Sequence, residues 1–316
     1  MSDRATLEHL VARAVRAPSS HNTQPWLFRP RAAGVALLAD RRRALPVNDP
    51  EDRELTISCG CALLTLRAAA AEAGIATRVT PFPEPEDEDV LADVALEDGS
   101  AQAALAPLAA AIEARHTHRK RFEDTPVAKA TLRALADAAE AEGARLDMLE
   151  GETTRGEAAT LVAEGDRAQW DDPRWRRELA AWMHPRRRGD GLTLPGLAVP
   201  VAQLVVRSFD MGGGVAARDR EIAAHSPVMA LISTPDDGVG DWLAAGQALQ
   251  RVLLAAAVEG VQASYLNQPI QVAALRPRLG RLAGAPGAPQ ILLRLGYPAE
   301  APSPAPRRPV SEVIED

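Results

Sequence analysis

Two short stretches concentrate groups able to do chemistry. The first, Ala17-Pro18-Ser19-Ser20-His21-Asn22-Thr23-Gln24-Pro25-Trp26, sets hydroxyls, amides and an imidazole between two prolines. Each proline pushes the residue before it out of helical backbone, so the stretch is a short polar turn held between two breaks. Its side chains donate and accept hydrogen bonds without a strong nucleophile or metal-ligand set, which suits gripping a polar ring or a phosphate better than attacking a bond. The second is Arg115-His116-Thr117-His118-Arg119-Lys120-Arg121-Phe122. In extended backbone Arg115, Thr117 and Arg119 face one way and converge two guanidinium groups and a hydroxyl on one anion. An ordinary capped turn and a solvated basic helix end are the plainer alternatives.

Composition narrows the class of protein. With 316 residues, 46% of them hydrophobic, the chain can bury a real core in one large domain or two modest ones. A net charge of -7 argues against a general nucleic-acid binder. The first ten residues lack a signal-like apolar core, and the longest apolar run, Val252 to Val258, falls far short of a span of ~20 residues. A cytoplasmic protein without a membrane segment is expected. Cys59 and Cys61 splay onto different faces of a helix and read as buried free thiols. The six histidines show no zinc-type spacing beyond His116-x-His118, and there is no Gly-x-Ser-x-Gly elbow, so neither a metal site nor a hydrolase is expected.

The elements that must position these groups follow from periodicity. Leu7, Leu10, Val11, Ala14 and Val15 predict a helix ending at Pro18, followed by strands at Trp26 to Phe28 and Val35 to Ala39 around a turn at Gly34. Asp49-Pro50 reads as the N-cap and first position of a long, nearly all-apolar helix to Gly74. Strands are expected at Ile75 to Phe82 and Val90 to Leu96, and a helix over Ala103 to Ala114. Beyond the basic stretch, Leu132 to Glu142 and Thr153 to Ala168 read as helices, with a strand over Ala144 to Leu149. Asp172-Pro173 caps a short helix whose Trp175, Leu179 and Trp182 share a face; with Trp170 they invite a lid over a planar ligand, although core packing explains such stripes too. Arg186 to Gly191 reads as an exposed turn, Pro195 to Phe209 as a helix interrupted by Pro200, and Met211-Gly212-Gly213-Gly214 as a flexible joint. A strand at Val228 to Ser233, a helix from Asp241 to Glu259 closed by Gly260, and strands at Val261 to Leu266 and Pro289 to Tyr297 complete the chain. The two long helices are each alanine-rich, closed by glycine and followed at once by a strand, which points to an internal duplication.

The motifs resemble those of the nitroreductase family. The first stretch is similar to that family's "PSSxNxQPW" segment, Arg115-x-Thr117-x-Arg119-x-x-Phe122 to its "RRSxRxF" phosphate motif, and Arg307-Arg308-Pro309-Val310 to its C-terminal "RxPLxEVV". In ordinary members the Arg motif precedes the Pro-Ser-Ser motif, and two identical subunits share two FMN sites. Here each motif occurs once and in reverse order, which resembles the fused Acg-type branch. The resemblance implies an α+β fold of two pseudo-symmetric halves, each a mainly antiparallel sheet with long helices packed as in the family's dimer. The halves would be residues 1-114 and 115-316, with a lid insert at about 165-227 carrying Trp170, Trp175 and Trp182, and a Pro/Arg tail at 301-316. It implies FMN bound by Ser19, Ser20, Asn22, Gln24, Arg115, His116, Thr117, Arg119, Asn267, Gln268, Pro269, Arg307 and Arg308, with the flavin rather than a side chain carrying the chemistry. The implied activity moves hydride from NAD(P)H to a nitroaromatic, quinone or similar acceptor, in a pseudo-dimeric monomer or a homodimer. FMN storage, sequestration or redox sensing under a lid that blocks nicotinamide is the alternative.

Overall fold

The computed structural model describes residues 4–185, 188–196, 198–208, 211–224, 226–301 and 304–315. The chain runs through α1 (Arg4–Ala14), the hairpin β1 (Trp26–Arg31) and β2 (Gly34–Ala39), the long helix α2 (Arg53–Glu72), then β3 (Ala76–Pro81) and β4 (Val90–Glu97). A short α3 (Ala106–Ala109) leads to α4 (Lys129–Glu140) and β5 (Arg145–Met148). An insert follows, comprising α5 (Glu152–Asp171), α6 (Pro173–Ala181), the parallel pair β6 (Met183–Pro185) and β7 (Leu192–Leu194), α7 (Val199–Ser208) and α8 (Gly212–Ala224). Then come β8 (Val228–Thr234), α9 (Val239–Val258), β9 (Gln262–Tyr265), α10 (Gln268–Gln271), α11 (Arg276–Ala283) and β10 (Ala288–Gly296).

Both four-stranded sheets are antiparallel, in the orders β1-β2-β4-β3 and β5-β8-β10-β9. The same path is thus drawn twice: edge strand, inner strand, long helix, opposite edge, inner strand. The fold is α+β with two pseudo-symmetric halves, and the insert interrupts the second between its first two strands.

The halves meet along α2 and α9, each 20 residues long. α2 is apolar enough to span a membrane, yet 94% of its apolar window is buried inside the protein, as a core helix packed on several sides requires. The helices touch backbone to backbone at Gly60 and Gly246. A Cβ on Gly60 would lie 2.4 Å from the Leu243 carbonyl oxygen, and one on Gly246 would lie 2.1 Å from that of Ile57. Each helix stops at a left-handed glycine, Gly74 at φ 75° and Gly260 at φ 74°. The two thiols diverge as their spacing requires, Cys59 donating to the Pro25 carbonyl and Cys61 to that of Gly246, both at 3.2 Å.

Local chemistry departs from the expected boundaries in several places. α2 begins at Arg53, and Asp49 is no N-cap: its carboxylate accepts from the Leu55 amide at 2.9 Å across a turn in which Asp52 is left-handed. The expected helix over Ala103 to Ala114 is broken into turns around the four residues of α3, because Pro107 fits only the first turn of a helix, although Leu105, Ala109, Ala111 and Ile112 are all buried in the core. Gly212–Gly214 form the first turn of α8 instead of a joint. Pro200 does not interrupt α7 but sits in its first turn, where the missing N–H costs no hydrogen bond. β1 continues through Pro30 because it is an edge strand. Arg186, Arg187, Leu197 and Phe209, assigned above to a turn and a helix, lie outside the described residues.

Candidate functional site

A cavity of about 600 Å³ is walled by both halves and the insert. The basic stretch reaches it because it runs beside β9: Thr117 bridges Ala263 in parallel, the His118 amide donates to the Ala263 carbonyl at 2.8 Å, and the His116 amide to Gln262 Oε1 at 2.9 Å. In that extended backbone Arg115, Thr117 and Arg119 line the cavity, and so does His116. His118 is buried and turned away, its Nε2 against the Arg121 carbonyl at 3.0 Å and its ring on Phe122.

One end of the cavity is cationic, its Arg115, Arg119 and Arg307 making no ion pair with a described residue. Arg115 and Arg307 both donate to the Arg16 carbonyl, at 3.1 and 3.0 Å, and Arg307 donates also to the Ala17 carbonyl and to Asn22 Oδ1. The Nε atoms of both are buried without a partner among the described residues. Arg119 faces the cavity and makes no ion pair or hydrogen bond with any described residue. Burial lowers the pKa of Arg115 and Arg119; burial, then Arg115 and Arg16, brings Arg307 down to about 9. The phenol of Tyr265, raised by burial, stands beside them. Three guanidinium groups with no carboxylate in ion-pair contact among the described residues is an arrangement that an anion would relieve.

The opposite wall is built on a buried carboxylate. Glu54 accepts from Ser20 Oγ at 2.6 Å, from Gln271 Nε2 at 2.9 and 3.0 Å, and from the Asn48 and Asn267 amides at 3.4 Å. Gln169 of the insert donates to Gln271 Oε1 at 2.7 Å, which ties all three parts of the chain to this carboxylate. Burial, and then the charge of Glu54, pushes the carboxyl of nearby Asp49 up to about 7.

The polar turn joins the two ends and is strained. His21, Asn22 and Gln24 have φ of 48°, 55° and 52°, left-handed values that only surrounding structure sustains in such residues. Ser19 Oγ accepts from the Gln24 amide at 2.9 Å, while Asn22 Nδ2 donates to the Pro306 carbonyl at 3.2 Å. Ser19, Ser20, Asn22, Asn267, Gln268 and Arg307 line the cavity. Gln24, Arg308 and Pro269 do not. Gln24 Oε1 accepts from the Arg308 amide at 2.8 Å and the Arg308 guanidinium donates to the Gln24 carbonyl at 3.0 Å, so this pair pins the tail to the turn. Pro269 is buried in α10.

None of the three tryptophans lines the cavity. Trp170 and Trp175 meet edge to face at 5.6 Å, and Trp175 Nε1 donates to Asn48 Oδ1 at 2.9 Å, while Trp182 lies under the Arg43 guanidinium. They fasten the insert down, and its contribution to the wall comes from Gln169, Gly191, Leu192, Thr193 and Ile222. The sequence reading missed Glu54, Ser58, Gln271, Tyr265 and His21. A signal for the first two existed: Glu54, Ser58 and Cys61 recur at helical spacing, a polar stripe on an otherwise apolar helix.

No protein-family model matches the chain. It is similar to two proteins of Mycobacterium tuberculosis strain H37Rv: "Putative NAD(P)H nitroreductase Rv3131", 32% identical over 99% of this chain and 92% of the relative, and "Putative NAD(P)H nitroreductase acg", 31% identical over 98% and 95%. Among solved structures, the FMN-dependent nitroreductase NfnB of Mycobacterium smegmatis in complex with NADPH aligns with a TM-score of 0.46 and 16% identity, over 67% of this chain and 99% of that one.

Proposed function

The chain belongs to the nitroreductase family, and from that premise we propose that it is an FMN-dependent oxidoreductase taking hydride from NAD(P)H and delivering it to a nitroaromatic, quinone or similar small acceptor. The observation that carries this reading is the uncompensated cation cluster. Arg115, Arg119 and Arg307, with Thr117 between the first two, form an anion seat at one end of a cavity whose other end is neutral amide, hydroxyl and shielded carboxylate. A phosphate-bearing ligand with a polar ring fits both ends. The unpartnered Nε atoms of Arg115 and Arg307 are consistent with that fit. When bound, FMN supplies the hydride-accepting and hydride-donating chemistry. The chain's own residues neutralise the phosphate, hold the ring's edge through Ser19, Ser20, Asn22 and Asn267, and keep the Glu54 carboxylate fully engaged. A cytoplasmic location belongs to the same proposal, and because both motif halves lie in one chain the site needs no residue from a second subunit, whether the protein is a pseudo-dimeric monomer or a homodimer.

A second reading is storage or sequestration of FMN. It is favoured by the insert, whose Leu192, Thr193 and Ile222 wall the cavity and whose Gly191 amide donates to the Asn22 carbonyl at 3.1 Å. Anaerobic addition of NADH or NADPH to the FMN-loaded protein separates the two. Bleaching of the flavin absorbance, with recovery on adding a quinone, is the expected result. A flavin that stays yellow with both donors establishes storage, and a protein that takes up no FMN ends both readings.

A further inference from the structure

His21 is a cavity-lining residue of the polar turn that neither the motif resemblance nor the cation cluster employs. We propose that it is a hydrogen-bond donor of fixed tautomer, presenting Nε2–H to a carbonyl-type oxygen of a ligand in the cavity. The inference rests on the reading of the cavity as a flavin site, and three observations carry it.

The first is placement. His21 lines the cavity together with Glu54 and Arg119, whose charges both act on its ring. The second is backbone: at φ 48° and ψ 19°, His21 is held left-handed inside the turn. A non-glycine residue pays for that conformation, and such strain is sustained where the side chain must point in one direction. The third is the ring itself. Nδ1 is buried with no partner among the described residues, while Nε2 is not among the buried unpartnered atoms, makes no hydrogen bond to a described residue, and belongs to a side chain that lines the cavity.

Chemistry then selects the tautomer. A buried N–H without an acceptor is costlier than a buried lone pair without a donor, so the proton resides on Nε2 and Nδ1 keeps its lone pair. Burial holds the ring neutral, its pKa lowered to about 4, so a single N–H is offered at neutral pH. A neutral donor matches a carbonyl, quinone or nitro oxygen. Two sources could supply that oxygen, the flavin ring or the electron acceptor, and the ring keeps its proton with either.

The test uses the full chain labelled with ¹⁵N-histidine, read by the imidazole nitrogen resonances at pH 7. The free protein is expected to show His21 as the neutral Nε2–H tautomer. Its Nε2 resonance should shift either on loading FMN or on adding acetophenone, a probe ketone, to the loaded protein. The first outcome assigns the oxygen to the flavin and the second to the acceptor. His21→Leu should weaken whichever ligand is responsible by roughly tenfold, and His21→Gln, which restores an N–H, should recover most of it. His21→Gly, free of strain in left-handed backbone and without a side-chain donor, replaces the leucine variant if that one unfolds. An Nδ1–H or charged ring in the free protein overturns the proposal, as does an Nε2 resonance unmoved by both ligands. Failure of the wild type to take up FMN would sink the flavin reading instead, and the tautomer in the free protein would still decide the question about His21.

Discussion

The two sides of the α2–α9 crossing differ far more than the backbones that form them. Gly60 and Gly246 occupy matching places, and the next residues are Cys61 and Gln247. On one side Cys61 faces the cavity with its uncompensated arginines. On the other, Gln247 Oε1 accepts from Arg67 at 2.7 Å, Arg67 pairs with Glu142 at 2.6 Å, and Arg251 pairs with the same carboxylate at 2.7 Å. All three charged side chains there are largely buried. The fold's repeat thus has one side open as a cavity whose Arg115, Arg119 and Arg307 make no ion pair with a described residue, and another filled by two arginines that share the Glu142 carboxylate. A carboxylate within ion-pair distance of the arginines, rather than topology, distinguishes the filled side from the cavity side.

The largest expected effect comes from breaking the axis common to both sides. Gly246→Ala puts a methyl 2.1 Å from the Ile57 carbonyl oxygen and 2.8 Å from the Gly60 Cα, both backbone, so the helices must separate. A loss of about 3 kcal/mol or more is expected, read as a fall in the thermal midpoint. A midpoint within a degree of wild type would mean that the helices do not cross there.

The next tests separate the sides. Arg119→Ala should weaken FMN binding by roughly a hundredfold while leaving unfolding of the free protein unchanged, because Arg119 has no partner among the described residues to strand. His118→Ala, facing away, should keep FMN affinity within a fewfold of wild type. Arg67→Met should do the reverse of Arg119→Ala: it leaves Glu142 with a single cation and costs on the order of 2 kcal/mol of stability with FMN affinity intact. Fluorescence titration and urea unfolding of the three variants would expose any crossover between binding and stability.

Much of this contrast is legible in the sequence, and the failures have physical causes. The duplication is visible because a glycine-terminated helix followed at once by a strand leaves a compositional mark twice. Arg115, Thr117 and Arg119 are legible because extended backbone alternates. A helical stripe such as Trp175, Leu179 and Trp182 reveals that a face is buried but not against what, and here the partners are Asn48 and Arg43 instead of a ligand. Gln24 and Arg308 share motifs with cavity residues but lie on the buried side of their turns. Glu54 and Gln271 come together from distant parts of the chain, and no local spacing records that meeting.

The smallest expected effect concerns the pH response of the binding side. Asp49, raised from 3.8 to about 7, keeps its proton in the folded protein after the unfolded chain has released it, so its contribution falls as pH rises from about 4 to about 7. His21, lowered from 6.5 to about 4, acts oppositely: the unfolded chain takes up a proton below 6.5 that the folded ring refuses, and stability falls as pH drops through that window. Between about 4 and 6.5 the two offset one another. Asp49→Asn keeps an oxygen for the Leu55 amide while removing the titration, so it should stabilise the protein at pH 8 by on the order of 1–2 kcal/mol. It should also uncover the acid-side loss caused by His21 that the wild type masks. Urea midpoints at pH 5, 6.5 and 8 read both effects. Equal midpoints for variant and wild type at pH 8 would mean that the Asp49 carboxylate is comfortable when charged, and that the closeness of Asp49 to Glu54 carries no electrostatic penalty on the open side of the crossing.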